Sequence, residues 1–230
     1  MFQSSVRRSF ASAAAVTVAV GAVLLIAPTR APAAGPLSDA AEQTATSSVR
    51  SARYASIPDS AMLPSLVQYE AEPLPADAWP ALRPPQPCAD GPYRSAALRR
   101  VDRTVSGLVG VGERPTVLVE HVTIYRANGA QSYLRQLRRA LDRCAGTDAR
   151  GTEWTVLATG VAGRDSLLLR MREEVDYGDR LVVKDTYLAV ARVGRAVVVV
   201  ADVGWEDGDG HEPLVRESIT TAVRQASILR

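Results

Sequence analysis

The chain has 230 residues, with 27 basic and 25 acidic side chains and a formal charge of +2. Arg7, Arg8 and Arg30 lie in the first 33 residues, which contain no acid, so the rest of the chain carries −1. That balance removes the electrostatic support for a nucleic-acid partner. With only His121, His211, Cys88 and Cys144 among the nitrogen and sulfur ligands, no closely spaced set for zinc is present either.

Residues 1–33 read as an export signal. Arg7 and Arg8 form a charged start, the run from Phe10 to Ala27 is uncharged and mostly apolar, and Ala31-Pro32-Ala33 has the small-x-small pattern of a cleavage site. The protein is therefore expected outside the cytoplasm, secreted or associated with the cell envelope. The apolar run is also near the ~17–25 residues that span a bilayer, but Ser12, Thr17 and Gly21 interrupt it and Pro28 ends it, which favours cleavage over an anchor. No cysteine stands where a lipid would be attached. Val6-Arg7-Arg8-Ser9-Phe10 is similar to a twin-arginine export motif, with Ala11 and Ser12 in place of the usual Leu and Lys, so both export routes stay open. Lys184 is the only lysine; with abundant Ala, Val and Arg, this points to a GC-rich, actinobacterial coding sequence.

Residues 34–56 are rich in Ala, Ser and Thr without periodicity and read as a flexible tether. From Ile57 to Pro92 the chain is proline-dense yet carries Met62, Leu63, Leu66, Val67, Trp79 and Leu82, more large apolar groups than a disordered linker holds. It is expected to lie extended across the domain surface, pinned by Trp79 and Cys88. In an oxidising compartment the two cysteines have one intramolecular pairing, Cys88 with Cys144. Such a bridge closes a loop of about 57 residues, worth ~4 kcal/mol in the chain-entropy model. Residues 93–115 show no clear pattern.

The remainder is periodic. Thr116–Arg126 is a strand by its β-branched content. A helix follows from Asn128 or Gly129 to Cys144, with Tyr133, Leu134, Leu137, Ala140, Leu141 and Cys144 on one face. Arg135, Arg138, Arg139, Asp142 and Arg143 lie on the other, where an Arg138–Asp142 pair at i, i+4 is expected. Four strands then span Glu153–Ala158, Ser166–Val175, Leu181–Ala191 and Ala196–Val203, with hairpin chemistry at Gly178-Asp179 and Gly194-Arg195. Leu167, Leu169, Met171 and Val175 alternate with Arg170, Arg172 and Glu174, so that strand is expected to have one dry and one wet face. Ala196–Ala201 is apolar throughout, as in a central strand covered on both sides. Pro213 opens a final helix with a stripe of Val215, Ile219, Ala222, Val223 and Ala226. The order predicts an α+β domain over residues 57–230, an antiparallel sheet flanked by helices.

Several stretches carry a family resemblance: IPDSAML from Ile57, RPPQPC ending at Cys88, VEHVTIYRANGAQSYLRQLRRALDRC, WTVLATGVAGRDSLLLR and VARVGRAVVVV. Through them residues 57–230 resemble the extracellular sensor domain of the PknH-type mycobacterial serine/threonine kinases, which also occurs in free-standing secreted proteins. The resemblance implies an antiparallel sheet flanked by helices and a cleft for an extracellular ligand. It departs in having one cysteine pair where the kinase sensor uses two disulfides, and in lacking a kinase domain.

The sequence offers no catalytic signature. A serine hydrolase would need His121 or His211 as base, and no Gly-x-Ser-x-Gly elbow is present; His121, sharing a strand face with Thr123 and Tyr125, fits a structural imidazole. Glycosidase chemistry needs two placed carboxylates. Glu120 shares a face with Leu118, Val122 and Ile124 and needs a partner such as Arg, or it will be held neutral. Glu206–Glu212 lacks the spacing of a calcium loop and reads as an exposed acidic turn before the last helix. Trp205 could cap a cleft but is expected to seal the core edge. No catalytic residue, metal or cofactor is assigned. The expected function is non-catalytic binding of a small molecule or envelope component, with Trp205, Tyr187, Arg172 and His121 as candidate ligand-binding residues. Two alternatives stand beside it: a protein-interaction module with Arg135, Arg139 and Arg143 at the contact, and a hydrolase using Glu120 or Asp165.

Overall fold

The computed structural model describes residues 56–67, 82–88, 91–111, 114–143, 146–148, 151–178 and 180–230. The expected export signal, the tether up to residue 55, Trp79, Cys144 and Asp179 lie outside the described residues. Seven strands form one sheet in the order β1-β2-β7-β6-β5-β4-β3. They are β1 (Arg99–Val111), β2 (Arg114–Tyr125), β3 (Gly146–Thr147), β4 (Glu153–Thr159), β5 (Ser166–Asp176), β6 (Leu181–Val193) and β7 (Ala196–Asp202). Every neighbouring pair is antiparallel. The helices are α1 (Pro64–Val67), α2 (Gly129–Arg143) and α3 (Glu212–Ala226). The expected α+β architecture, an antiparallel sheet flanked by helices, is present.

The strand order follows from one crossover. β1 and β2 form a hairpin, α2 carries the chain to the far edge, and β3 to β7 meander back until β7 docks on β2. β7 thus sits in the middle, and each of its residues is buried. Its even-numbered side chains join Leu118, Val122, Ile124, Leu168, Val215, Ile219, Ala222 and Ala226 on one face, under α3. Val197, Val199 and Ala201 join Tyr133, Leu134, Leu137, Leu167, Leu169 and Met171 on the opposite face, under α2. An apolar run without alternation is what two covered faces require. The Gly194-Arg195 hairpin forms as expected, with Val193 opposite Ala196 and Gly194 at φ 59°.

Four expectations change. Residues 99–111, left without assignment, form the edge strand β1. Its face toward α3 alternates Val101, Arg103, Val105, Gly107 and Val109, and only Val105 is buried outright. Arg103 holds its place by pairing with Asp59 at 2.6 Å and donating to the Ile57 carbonyl at 3.0 Å. Second, residues 57–66 of the proline-dense segment do not lie across the surface. Ile57, Ala61, Met62, Leu63 and Leu66 are core residues under the same face as α3, because two short helical turns place five apolar side chains inward. Third, β5 is not dry on one face only: Ser166, Leu167, Leu168 and Leu169 are all buried, and alternation begins beyond them. Fourth, Arg138 donates to the Arg164 carbonyl at 3.4 Å instead of pairing with Asp142.

Candidate functional site

The four candidate residues fall in three places. Arg172 and Tyr187 are diagonal neighbours on the α3 face, since Arg172 lies opposite Asp185 and Tyr187 opposite Arg170. The Arg172 guanidinium donates through Nε and Nη2 to the two Asp185 oxygens, each at 2.8 Å. Arg170 reaches Glu153 at 3.2 Å and Thr155 at 3.3 Å. Trp205 stands in the turn after β7 and is 41% exposed, so it does not seal the core edge. His121 is on the other face of the sheet and buried. Its Nδ1 lies 2.7 Å from the Thr104 hydroxyl and its Nε2 2.7 Å from that of Thr123. Burial, with Arg83 and Arg99 nearby, lowers its pKa to about 3, so the ring is neutral, with one nitrogen donating and the other accepting.

The stretch from Val203 to His211 is more than an exposed acidic turn. β6 extends beyond the end of β7, because Tyr187 is opposite Asp202 and residues 181–186 have no β7 partner. The loop runs along this open edge. Gly210 donates to the Asp185 carbonyl at 2.8 Å, and the Asp185 amide donates to Asp209 at 2.7 Å. Lys184 and Tyr177 both donate to the Glu206 carbonyl. Asp202, fully buried, anchors the other side. It accepts from the Thr116 hydroxyl, from the amides of Gly204 and His211 at 2.9 Å each, and from His211 Nδ1 at 3.2 Å. Gly204 is required here: its φ is 70°, and a Cβ would collide with the Gly208 carbonyl oxygen. Among the described residues no group of three or more His, Cys, Asp or Glu side chains is arranged to hold a metal ion.

The two carboxylates considered for hydrolysis stand apart. Asp165, in the turn before β5, is held by Arg192, which lowers its pKa. Glu120 points into the core beneath α1, where its Oε2 accepts the Leu63 amide at 2.6 Å and its Oε1 has no partner. Burial outweighs that bond and the charge of Arg103, raising its pKa to about 8. The acid is therefore neutral at pH 7, as its apolar neighbours on β2 imply.

A concave site lies elsewhere, between α2 and the segment that approaches it from Cys88. Three tyrosines lead to it. Tyr125 on β2 stacks against Tyr133 on α2 with ring centroids 6.2 Å apart, and Tyr133 meets Tyr93 at 6.1 Å. The proline run straps over them: Tyr133 donates to the Pro85 carbonyl at 2.8 Å, Tyr93 to that of Pro87 at 3.2 Å, and the Tyr93 amide to Gln86 at 2.7 Å. Beside this strap opens a groove of about 500 Å³ lined by Cys88, Tyr93, Arg94, Gln136, Arg139 and Arg143, with Gly91 and Pro92 at its edge. Gln136, Arg139 and Arg143 share one side of α2 by their spacing, and Arg94 opens the 3-10 turn Arg94–Leu98 opposite them. Ser95 donates to Gln136 Oε1 through its amide at 3.3 Å and its hydroxyl at 2.8 Å. That fixes the orientation of the side chain and leaves its NH2 as the donor end.

Arg94, Arg139 and Arg143 make no salt bridge or side-chain hydrogen bond among the described residues. Among the described residues, none of the side chains lining the groove is a carboxylate. Helical spacing alone places Arg139 and Arg143 on the face of α2 away from the core and does not reveal the groove, because its opposite bank comes from Cys88 and residues 91–94. The proline-rich approach to Cys88 was the signal available for it. Comparison with protein-family models, characterised proteins and solved structures finds no match.

Proposed function

We propose that this chain is an exported, non-catalytic sensor-like domain that binds a small molecule or an envelope component in the groove between α2 and the Cys88 segment. The observation that carries this reading is the convergence of Arg94, Arg139 and Arg143 on one concave surface with no carboxylate among its described lining residues. Three guanidiniums around one groove concentrate positive charge there, which favours an anionic ligand. The PknH-type resemblance supports the same reading, since it implies an extracellular ligand cleft. The finer form of the fold belongs to this proposal too. Cys88 is not a free thiol, and a bond to Cys144, next to Arg143, would fasten the groove's loop bank to the end of α2.

A thermal-shift screen of the purified, oxidised protein against envelope fragments and metabolites tests the reading. A ligand at ~100 times its dissociation constant adds about 2.7 kcal/mol, a clear rise in midpoint. A saturable shift lost in Arg139→Ala supports it. A shift that Arg139→Ala and Arg143→Ala leave intact moves the site away from the groove, and no shift from any compound favours a polypeptide partner.

A further inference from the structure

The lining of the groove also bears on what it takes. We propose that it recognises a phosphoryl group, carried by a soluble phosphate ester or by a lipid headgroup; this rests on the groove being the ligand site. Arginine itself is not the signal, since the chain has a single lysine. The signal is that three guanidiniums, Arg94, Arg139 and Arg143, line one groove, and none of them has a carboxylate partner among the described residues. Asp142, which adjoins Arg143 in sequence, forms no ion pair with either Arg139 or Arg143.

The side chains of the groove offer donors and one ring face. Gln136 has its oxygen committed to Ser95 and presents its amide nitrogen. Tyr93 has its hydroxyl on the Pro87 carbonyl, so what remains for a ligand is its ring. A ligand for this surface must bring acceptors and negative charge. A carboxylate has two oxygens and one charge, which a single guanidinium fork satisfies. A phosphate monoester has three free oxygens and carries about −1.5 to −2 at pH 7. It can take forks from two or three arginines at once, and Arg139 and Arg143, one helical turn apart, stand at the spacing for this. The Tyr93 ring then faces the ester's organic part.

Calorimetric titration of the purified protein with glycerol 3-phosphate, and with glycerol and glutarate as controls, tests the assignment. Vesicles of phosphatidic acid against phosphatidylcholine separate a lipid headgroup from a soluble ester. The expected result is saturable binding of glycerol 3-phosphate, of phosphatidic acid vesicles, or of both. Arg139→Ala and Arg143→Ala should each weaken it at least about tenfold, while Arg135→Ala, which removes a guanidinium engaged with Ser132 off the groove, should leave it within about twofold. Glutarate binding as tightly as glycerol 3-phosphate, or equal losses from Arg135→Ala and Arg139→Ala, would overturn the phosphoryl assignment in favour of unspecific charge. If a compound from the thermal-shift screen binds in a manner sensitive to Arg139→Ala while no phosphoryl probe binds, the groove stands and the phosphoryl class falls. If groove substitutions affect no compound of either kind, both fall.

Discussion

Replacing Glu120 with glutamine should stabilise this protein, and by an amount that depends on pH. In the unfolded chain the carboxyl ionises near 4.5; in the fold its pKa is about 8. At pH 7 the unfolded state therefore gains by releasing a proton that the folded state retains. The gap of about 2.5 pH units disfavours folding by roughly 3 kcal/mol, and the full gap, reached above pH 8, by about 5 kcal/mol. The sign follows from a raised folded pKa: the Glu120 contribution is most favourable below pH 4.5 and is lost as pH rises to 8. Glutamine keeps an oxygen for the Leu63 amide and cannot ionise. Its NH2 stands where the neutral acid already leaves Oε1 without a partner, so little is lost below pH 4.5. At ~2–4 °C per kcal/mol for a domain of this size, the variant should melt about 10 °C above wild type at pH 7 and near it at pH 4. Melting curves from pH 3 to 9 measure this. A constant offset between the two proteins across that range would refute the argument, because burial of a neutral acid predicts an offset that grows between pH 4.5 and 8.

The neighbouring His121 works in the opposite direction: its folded pKa of about 3 means that stability falls as pH drops from 6.5 to 3. The two effects nearly cancel between pH 4.5 and 6.5, so wild type should show a plateau there with losses on either side, and His121→Gln should flatten the limb below pH 4.5 and turn the plateau into a decline that starts at pH 4.5. Asp202→Ala strips four donors of their acceptor in a buried setting and should cost about 3 kcal/mol in chemical denaturation, with faster amide exchange at Gly204 and His211. Gly204→Ala, strained at φ 70° and obstructed by the Gly208 carbonyl, should cost about 2 kcal/mol or more and loosen the same loop. Trp205→Ala, on a side chain 41% exposed, should cost less than about 1 kcal/mol; a larger loss would mean that the turn depends on the indole.

Periodicity along the chain was enough to place β2, β4 to β7, α2 and α3 to within about three residues, because each has one or two faces committed to a core and alternation records that commitment. For Glu120 the Leu118, Val122 and Ile124 face left two outcomes open, an ion pair or a neutral acid, and the fold decides for the neutral acid. The edge strand β1 was not. Two of its five inward positions are filled by arginine and glycine, and Arg103 is stabilised by Asp59 and Ile57, residues more than forty positions away that no local pattern connects to it. The inward turn of residues 57–66 depends in the same way on a sheet surface that exists only after β1, β2 and β7 have paired. The groove is the clearest case. Its arginines are spaced on α2 as any solvated helix face would be, and they become a site only because the proline strap, bound to Tyr93 and Tyr133, brings Arg94 and Cys88 opposite them. Sequence fixes what each element must bury; which polar groups are left facing one another is settled by contacts between segments far apart in the chain, and that is where the candidate site arises.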